Sequence, residues 1–231
     1  MRVVAPVLWR HDVFRLDRFV LTHGDPDHIG GAVSLLRAFR IGEIWEGIDV
    51  PRDVALQQMH REAAARHIPR RRVRAGEQLE LGGASVTVWH PSPPDWERQK
   101  VRNDDSIVLE IRFGQVSLVL TGDIGMEMER PLARRFTVAP LCVMKVPHHG
   151  SGASSSRALL AASRPALAIF TVGPAAIGTP ALEAVASRYA AIGAKVLRTG
   201  EDGAVEVETD GREVRVVTFS GRRLVLRAPG P

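Results

Sequence analysis

The feature that most constrains this chain is the run "THGDPDHIGG" at residues 22–31, which directly follows the apolar segment "DRFVL". Four metal-capable side chains lie within six residues there: His23, Asp25, Asp27 and His28. Imidazole and carboxylate together form a ligand set for zinc, manganese or iron. A simple turn in which Asp27 caps a helix is the alternative, but a cap does not require two flanking histidines. The run therefore predicts a metal site at the end of a buried strand.

Two further polar clusters also follow apolar runs. Asp123 ends "VSLVLTGD", a pattern that by itself is as typical of a structural strand, Gly-Asp turn and helix cap as of a functional site. The segment "KVPHHGS" contains Lys145, His148, His149 and Ser151. Adjacent side chains of an extended segment point in opposite directions, so we expect one histidine to face the site and choose His148.

The three clusters agree in their position along the predicted strands. Each lies at the carboxyl end of a strand, where α/β folds assemble their sites. Six ligands that converge there would hold two cations, with Asp123 placed to bridge them. A metal pair of this kind activates water and stabilises the charge that develops on a phosphodiester or ester. Hydrolysis is the expected reaction.

Strand and helix patterns alternate along the chain and predict an α/β protein. Strands are predicted at "DRFVLT" and "IGEIWEG" and helices at "APVLWRHDV", "GGAVSLLRAF" and "RDVALQQMHREAAARHI". After the basic link "PRRRVRAG", two hairpins are expected within residues 77–91 and 106–123. Alternation then resumes, and strands with turns at Asp210-Gly211 and Ser220-Gly221 end the chain. No linker divides the sequence, so we predict one domain over residues 1–231.

Composition limits the classes of protein and the compartment. Cys142 is the single cysteine, which excludes a disulfide framework and a thiolate zinc cluster. The net charge of +5 modestly favours a polyanionic partner. The amino terminus lacks signal-peptide features, and proline and glycine interrupt the charge-free run at residues 165–182, so no membrane span is expected. We expect a cytoplasmic protein, or one held at a membrane through a partner.

Five motifs, in order, resemble those of a known family: "THGDPDHIGG", "RNDDSIVLEI", "LTGDIGMEME", "VMKVPHHGSGASSS" and "RTGEDGAVEVETDG". The first matches the HxHxDH loop of the metallo-β-lactamase superfamily, with Asp25 in place of the second histidine. The ordered set is similar to the soluble metallo-hydrolase domain of ComEC-type competence proteins, over almost the whole chain. The resemblance implies a four-layer αββα sandwich with metals at one edge, and a nuclease that acts on DNA during uptake.

The resemblance also implies roles for individual residues. His23 and Asp25 would hold one metal, Asp27 and His28 the other, Asp123 would bridge, and His148 would complete a site. Because Asp25 makes the ligand set harder, manganese is expected over zinc alone. Asp27 would also act as the catalytic base that orients water. The expected substrate contacts are Lys145, His149, Ser151 and Ser154.

The chain departs from the family pattern in three ways. The family's first strand hairpin has no counterpart before "RVVAPVLWR", so either the start lies upstream or the first sheet is incomplete. Thr179 stands where a histidine is usual, and the accompanying membrane channel is absent. Two other functions therefore stay open: hydrolysis of small esters, lactones or cyclic phosphodiesters, and DNA or partner binding without turnover. The partners expected are DNA and a membrane channel protein.

Several other residues are assigned structural roles. Cys142 is expected in the core, His90 in a loop, and His60 and His67 on a solvated helix face. The serines of "GSGASSS" are expected to cap a helix from Ser154 onward. Two arginine runs could track a nucleic-acid backbone, one at residues 66–74 and one at residues 212–227.

Overall fold

A computed structural model describes residues 3–92 and 97–228. The chain divides into two compact units. The first unit comprises Met1–Ala75 and His90–Ile107, and the second comprises Gly76–Trp89 and Val108–Pro231. The single domain that the sequence suggested stays a prediction, and each unit is described by itself.

The first unit is built on a parallel three-stranded sheet in the order β1-β2-β3. Its strands are β1 (Arg15–Val20), β2 (Arg40–Glu46) and β3 (Arg70–Arg72). Its helices are α1 (Val4–Arg10), α2 (Pro26–Ile29), α3 (Ala32–Ala38) and α4 (Val54–Ala65). Leu36, Ile44 and Met59 are fully buried at the centre of its core.

Helix α4 illustrates how local sequence sets an element of this unit. The side chain of Asp53 accepts a hydrogen bond from the backbone N–H of Leu56 at 2.8 Å, which satisfies one of the free donors at the helix start. Leu56, Met59 and Ala63 are buried at helical spacing, so one face packs on the core. The helix ends before Pro69, as the sequence predicts.

The second unit contains a seven-stranded sheet in the order β10-β9-β8-β7-β6-β5-β4. Its strands are β4 (Gln78–Leu81), β5 (Ala84–His90), β6 (Val108–Phe113), β7 (Val116–Leu120), β8 (Leu141–Lys145), β9 (Leu167–Phe170) and β10 (Lys195–Arg198). The two predicted hairpins are confirmed as antiparallel pairs, and β7 to β10 run parallel. Because Leu120 lies opposite Lys145, the loops that follow β7 and β8 leave the sheet at the same edge.

Helices and a small sheet complete the second unit. The helices are α5 (Met126–Ala133), α6 (Arg157–Ser163), α7 (Pro180–Ala191) and α8 (Thr199–Asp202). The final strands, β11 (Val205–Thr209), β12 (Glu213–Thr218) and β13 (Arg223–Arg227), form an antiparallel sheet with turns at the predicted places. Val143, Leu167 and Val214 are fully buried together in one of its core clusters.

Three local predictions were wrong. The basic link contains the short strand β3, which is stabilised by pairing with β2 and has no hydrophobic pattern of its own. Strand β10 and helix α8 lie in residues 195–202, where no element was predicted. A serine of "GSGASSS" caps helix α6 as expected, since the side chain of Ser156 accepts from Leu159 N, but the helix begins at Arg157 and not at Ser154.

Candidate metal centre

In the first unit, the residues after β1 place two imidazoles around one hydroxyl. Thr22 Oγ1 lies 3.1 Å from Nδ1 of His23 and 3.0 Å from Nδ1 of His28. The two ring centroids are 4.1 Å apart. His23 is buried, with 7% of its surface exposed. One threonine therefore fixes the orientation of both rings.

The opposite ring nitrogens face aspartates. His23 Nε2 lies 3.5 Å from Asp25 Oδ2, and His28 Nε2 lies 3.9 Å from Asp27 Oδ2. The local sequence explains this placement, because Asp25 occupies the N-cap position of α2, Pro26 begins the helix and Asp27 lies in its first turn. A short helix that was not predicted as a separate element thus brings the four side chains of the first motif together.

Ser106 supports the same loop and was missed by the sequence analysis. It is fully buried, and its hydroxyl lies 3.2 Å from His23 Nδ1. Its carbonyl lies 2.8 Å from Nδ1 of His90, which is buried at the end of β5 and is not the loop residue that we expected. The motif "RNDDSIVLEI" carried the signal for Ser106, but only the tertiary structure reveals its contact with His23.

In the second unit, Asp123 is the centre of a charged cluster. Its carboxylate is almost fully buried, with Oδ1 3.0 Å from Lys145 Nζ and Oδ2 3.1 Å from His149 Nε2. Nδ1 of His149 lies 2.8 Å from the carbonyl oxygen of Thr171, which can only accept a hydrogen bond. Nδ1 therefore carries a proton, and Nε2 is the nitrogen directed at Asp123.

The electrostatic effect of this pair is visible at His149. Its hydrogen bond with Asp123 raises the pKa of His149 above the ordinary value of 6.5, against the opposing effects of burial and of the Lys145 charge. The protonated form of His149 is thus favoured beside Asp123.

The backbone of "PHHG" is a left-handed turn and not the extended segment that the sequence analysis assumed. The φ angles are +47° at His148, +54° at His149 and +83° at Gly150. A side chain at Gly150 would meet the ring of Phe170 at 2.6 Å, so glycine is required by space as well as by conformation. His149 is the histidine that this turn directs at Asp123, and the ligand role of His148 stays a prediction.

The predicted substrate contacts differ in their surroundings. Ser154 is fully buried, and its hydroxyl donates to the carbonyls of Pro147 and Ser151, both at 2.9 Å. This arrangement indicates that Ser154 holds the loop in place, and it does not favour contact of Ser154 with a substrate. Ser151 is half-buried, and Lys145 is paired with Asp123. Thr179 is exposed at the start of α7, where its hydroxyl donates to the carbonyl of Ala176.

Among the residues that the structure describes, four side chains offer donor atoms suited to a metal ion. They are Asp27 and His28 in the first unit, and Asp123 and His149 in the second. Within residues 3–92 and 97–228, no helix combines the length and apolar character that crossing a bilayer requires.

Histidine and aspartate loops at the ends of parallel strands, on a mixed α/β scaffold, define a metallo-hydrolase fold. The metallo-beta-lactamase superfamily matches residues 4–173, so the chain belongs to that superfamily. The resemblance inferred from the sequence motifs is confirmed.

Two curated relatives align with most of this chain. The chain is 30% identical to ComE operon protein 3 of Bacillus subtilis over 95% of its length, and 31% identical to competence protein ComA of Neisseria gonorrhoeae over 88%. It spans 27% of the length of each of these relatives. A solved structure, CmlA, a diiron beta-hydroxylase from Streptomyces venezuelae, is similar in fold, with a TM-score of 0.51 at 15% identity over 93% of this chain and 45% of that one.

Proposed function

We propose that the chain is a metal-dependent hydrolase that cleaves DNA phosphodiester bonds. The proposal rests above all on the environment of Asp123, a buried carboxylate that faces the Nε2 atom of a histidine whose Nδ1 is fixed by a carbonyl. A buried carboxylate is costly unless cations satisfy it, and a histidine fixed in this way is typical of metal ligands.

We propose that the donors of both units hold two divalent ions. Asp27 and His28 would hold one ion, for which Asp123 and His149 also have suitable donor atoms. His23 and Asp25 would hold the other, with Asp123 bridging and His148 completing the set. In the first unit the histidines engage Thr22 through Nδ1, which leaves Nε2 directed at carboxylates. The donors therefore suit a metal, and the aspartates favour manganese, with zinc as the alternative.

The protein's own groups would perform the remaining steps of hydrolysis. Bound divalent ions would lower the pKa of water and neutralise the charge of a phosphodiester. Asp27, whose side chain is 65% exposed, would orient the attacking water and accept its proton. The ammonium group of Lys145 would place positive charge beside the phosphate, and the Ser151 hydroxyl would donate a hydrogen bond to it.

DNA is the proposed substrate class because one of the curated relatives is a competence protein and the chain carries a net charge of +5. Arg215, Arg223 and Arg227 are exposed on β12 and β13, where they could contact phosphates without selecting a sequence. We also propose a role in DNA uptake and a channel protein as partner. The chain spans about a quarter of the length of its relatives, so these two points belong to the proposal.

The test combines metal content with cleavage of linear DNA. We expect two ions per chain by mass spectrometry and cleavage that depends on added manganese. Asp27→Ala and Asp123→Ala should each remove cleavage, while Asp210→Ala, at an exposed turn, should leave it unchanged. Undiminished cleavage in both site variants would overturn the mechanism. Hydrolysis of small esters without cleavage of DNA would overturn the substrate class.

A further inference from the structure

The turn that presents His149 is held in place by residues that take no part in the proposed chemistry. Its backbone is left-handed at His148 and His149, and again at Ser155, where φ is +64°. Residues other than glycine are disfavoured in this region, and they persist there only when the surrounding structure holds them.

Glu129 on α5 makes two hydrogen bonds with this loop. Its side chain is fully buried. One carboxylate oxygen accepts from Ser155 N at 2.6 Å, and the other accepts from Ser156 N at 2.5 Å. These two donors lie on either side of the left-handed Ser155 and at the start of α6. A carboxylate that accepts two backbone N–H groups forms strong, directional hydrogen bonds.

The contact continues along the loop to the histidines. The hydroxyl of Ser154 donates to the carbonyls of Pro147 and Ser151, and Ser151 N donates to the carbonyl of His148. Arg188 donates to the carbonyl of Ser154 at 2.9 Å. The loop from Pro147 to Ser156 is thus one hydrogen-bonded unit, and Glu129 anchors its far end.

We propose that Glu129 is a positioning residue for His149: its carboxylate fixes the 147–156 loop, and the loop in turn directs His149 Nε2 at Asp123. The role in metal binding rests on the proposed function, whereas the effect on the histidine itself does not. Glu129 contacts neither substrate nor metal in this scheme. It acts by making one orientation of the imidazole dominant before any ligand arrives.

The test compares Glu129→Gln with Glu127→Gln, an exposed carboxylate two positions earlier on the same helix. The glutamine amide presents only one acceptor oxygen, so one backbone donor loses its partner. In the metal-free protein, we expect the ring resonances of His149 in an NMR spectrum to shift or broaden in Glu129→Gln and to stay unchanged in Glu127→Gln. If the protein binds manganese, the affinity should fall about tenfold or more in Glu129→Gln.

Two further variants keep the inference testable if Glu129→Gln fails to fold. Glu129→Asp retains the charge but is shorter, and it should shift the His149 resonances less than Glu129→Gln. Ser155→Gly, added to either variant, should partly restore them, because glycine adopts the left-handed conformation without strain. Unchanged His149 resonances in folded Glu129→Gln would overturn the inference, and so would unchanged resonances in Glu129→Asp if Glu129→Gln does not fold. If those resonances shift but the protein binds no metal, the role of Glu129 in positioning His149 is upheld. The proposed function is then overturned.

Discussion

Thr22 Oγ1 lies 3.0 Å from Nδ1 of His28, six positions further along the chain, and the same hydroxyl also lies 3.1 Å from Nδ1 of His23. Thr22→Val keeps the shape of the side chain but removes this shared partner. Because such partners orient the ligands of metal sites, we expect manganese affinity to fall about 10–100-fold, as measured by titration calorimetry.

The matched control for this change is Thr137→Val at an exposed position of the second unit, which should leave the affinity for manganese unchanged. Thr22→Ser retains the hydroxyl and should recover most of the affinity. Equal affinity in Thr22→Val and the original protein would contradict the role assigned to Thr22.

Gly150→Ala should disrupt the histidine turn. The new methyl group would lie 2.6 Å from the buried ring of Phe170, at a φ of +83° that alanine adopts only with strain. Overpacking and strain together predict a loss of about 2–4 kcal/mol in the free energy of unfolding, measured by urea denaturation. Gly152→Ala is the control, since a side chain there meets nothing within 4 Å. A stable Gly150→Ala protein would show that the turn can rearrange.

Glu46 is expected to make stability depend on pH. Burial raises the pKa of Glu46. The hydrogen bond from His60 and the charges of His60, Arg70 and Arg72 lower it by more, so the pKa of Glu46 lies below the ordinary 4.5. The ionised group thus stabilises the fold above its unfolded pKa, and this contribution is lost as pH falls through its folded pKa.

Glu46→Gln should therefore cost about 1–2 kcal/mol at pH 7, by urea denaturation, and progressively less below pH 4.5. Glu80→Gln, at an exposed position on β4, should change little at either pH. A cost for Glu46→Gln that did not vary with pH would show that packing, and not charge, stabilises this site. The pair also corrects the expectation that His60 is merely solvated, because its Nε2 lies 2.7 Å from Glu46 Oε2.

Cys142 should be chemically inert in the folded protein. It is buried in β8, and burial together with the charge of Glu110 raises the pKa of its thiol to about 12. Since the thiolate is the reactive form, a thiol reagent such as DTNB should react negligibly at pH 8 and completely after denaturation in guanidinium. Rapid reaction of the folded protein would contradict the burial of this strand.

Much of the architecture follows from local patterns. The hairpins β4/β5 and β6/β7 have alternating or continuous apolar runs separated by glycine turns, and helix α4 has its cap at Asp53 and its apolar face within the twelve residues that follow. Strand β3 has no such signal. Its three exposed arginines form a strand only because β2 offers a row of backbone hydrogen-bonding groups beside them.

The sequence by itself determined which side chains carry the candidate chemistry, because histidines and aspartates at strand ends can be recognised without knowledge of their neighbours. It did not determine their orientation. The selection of His149 by its contact with Thr171 and the support from Ser106 and Glu129 each join residues far apart in the chain. Ring orientation depends on hydrogen bonds from distant elements, and those elements meet only when the tertiary structure has formed.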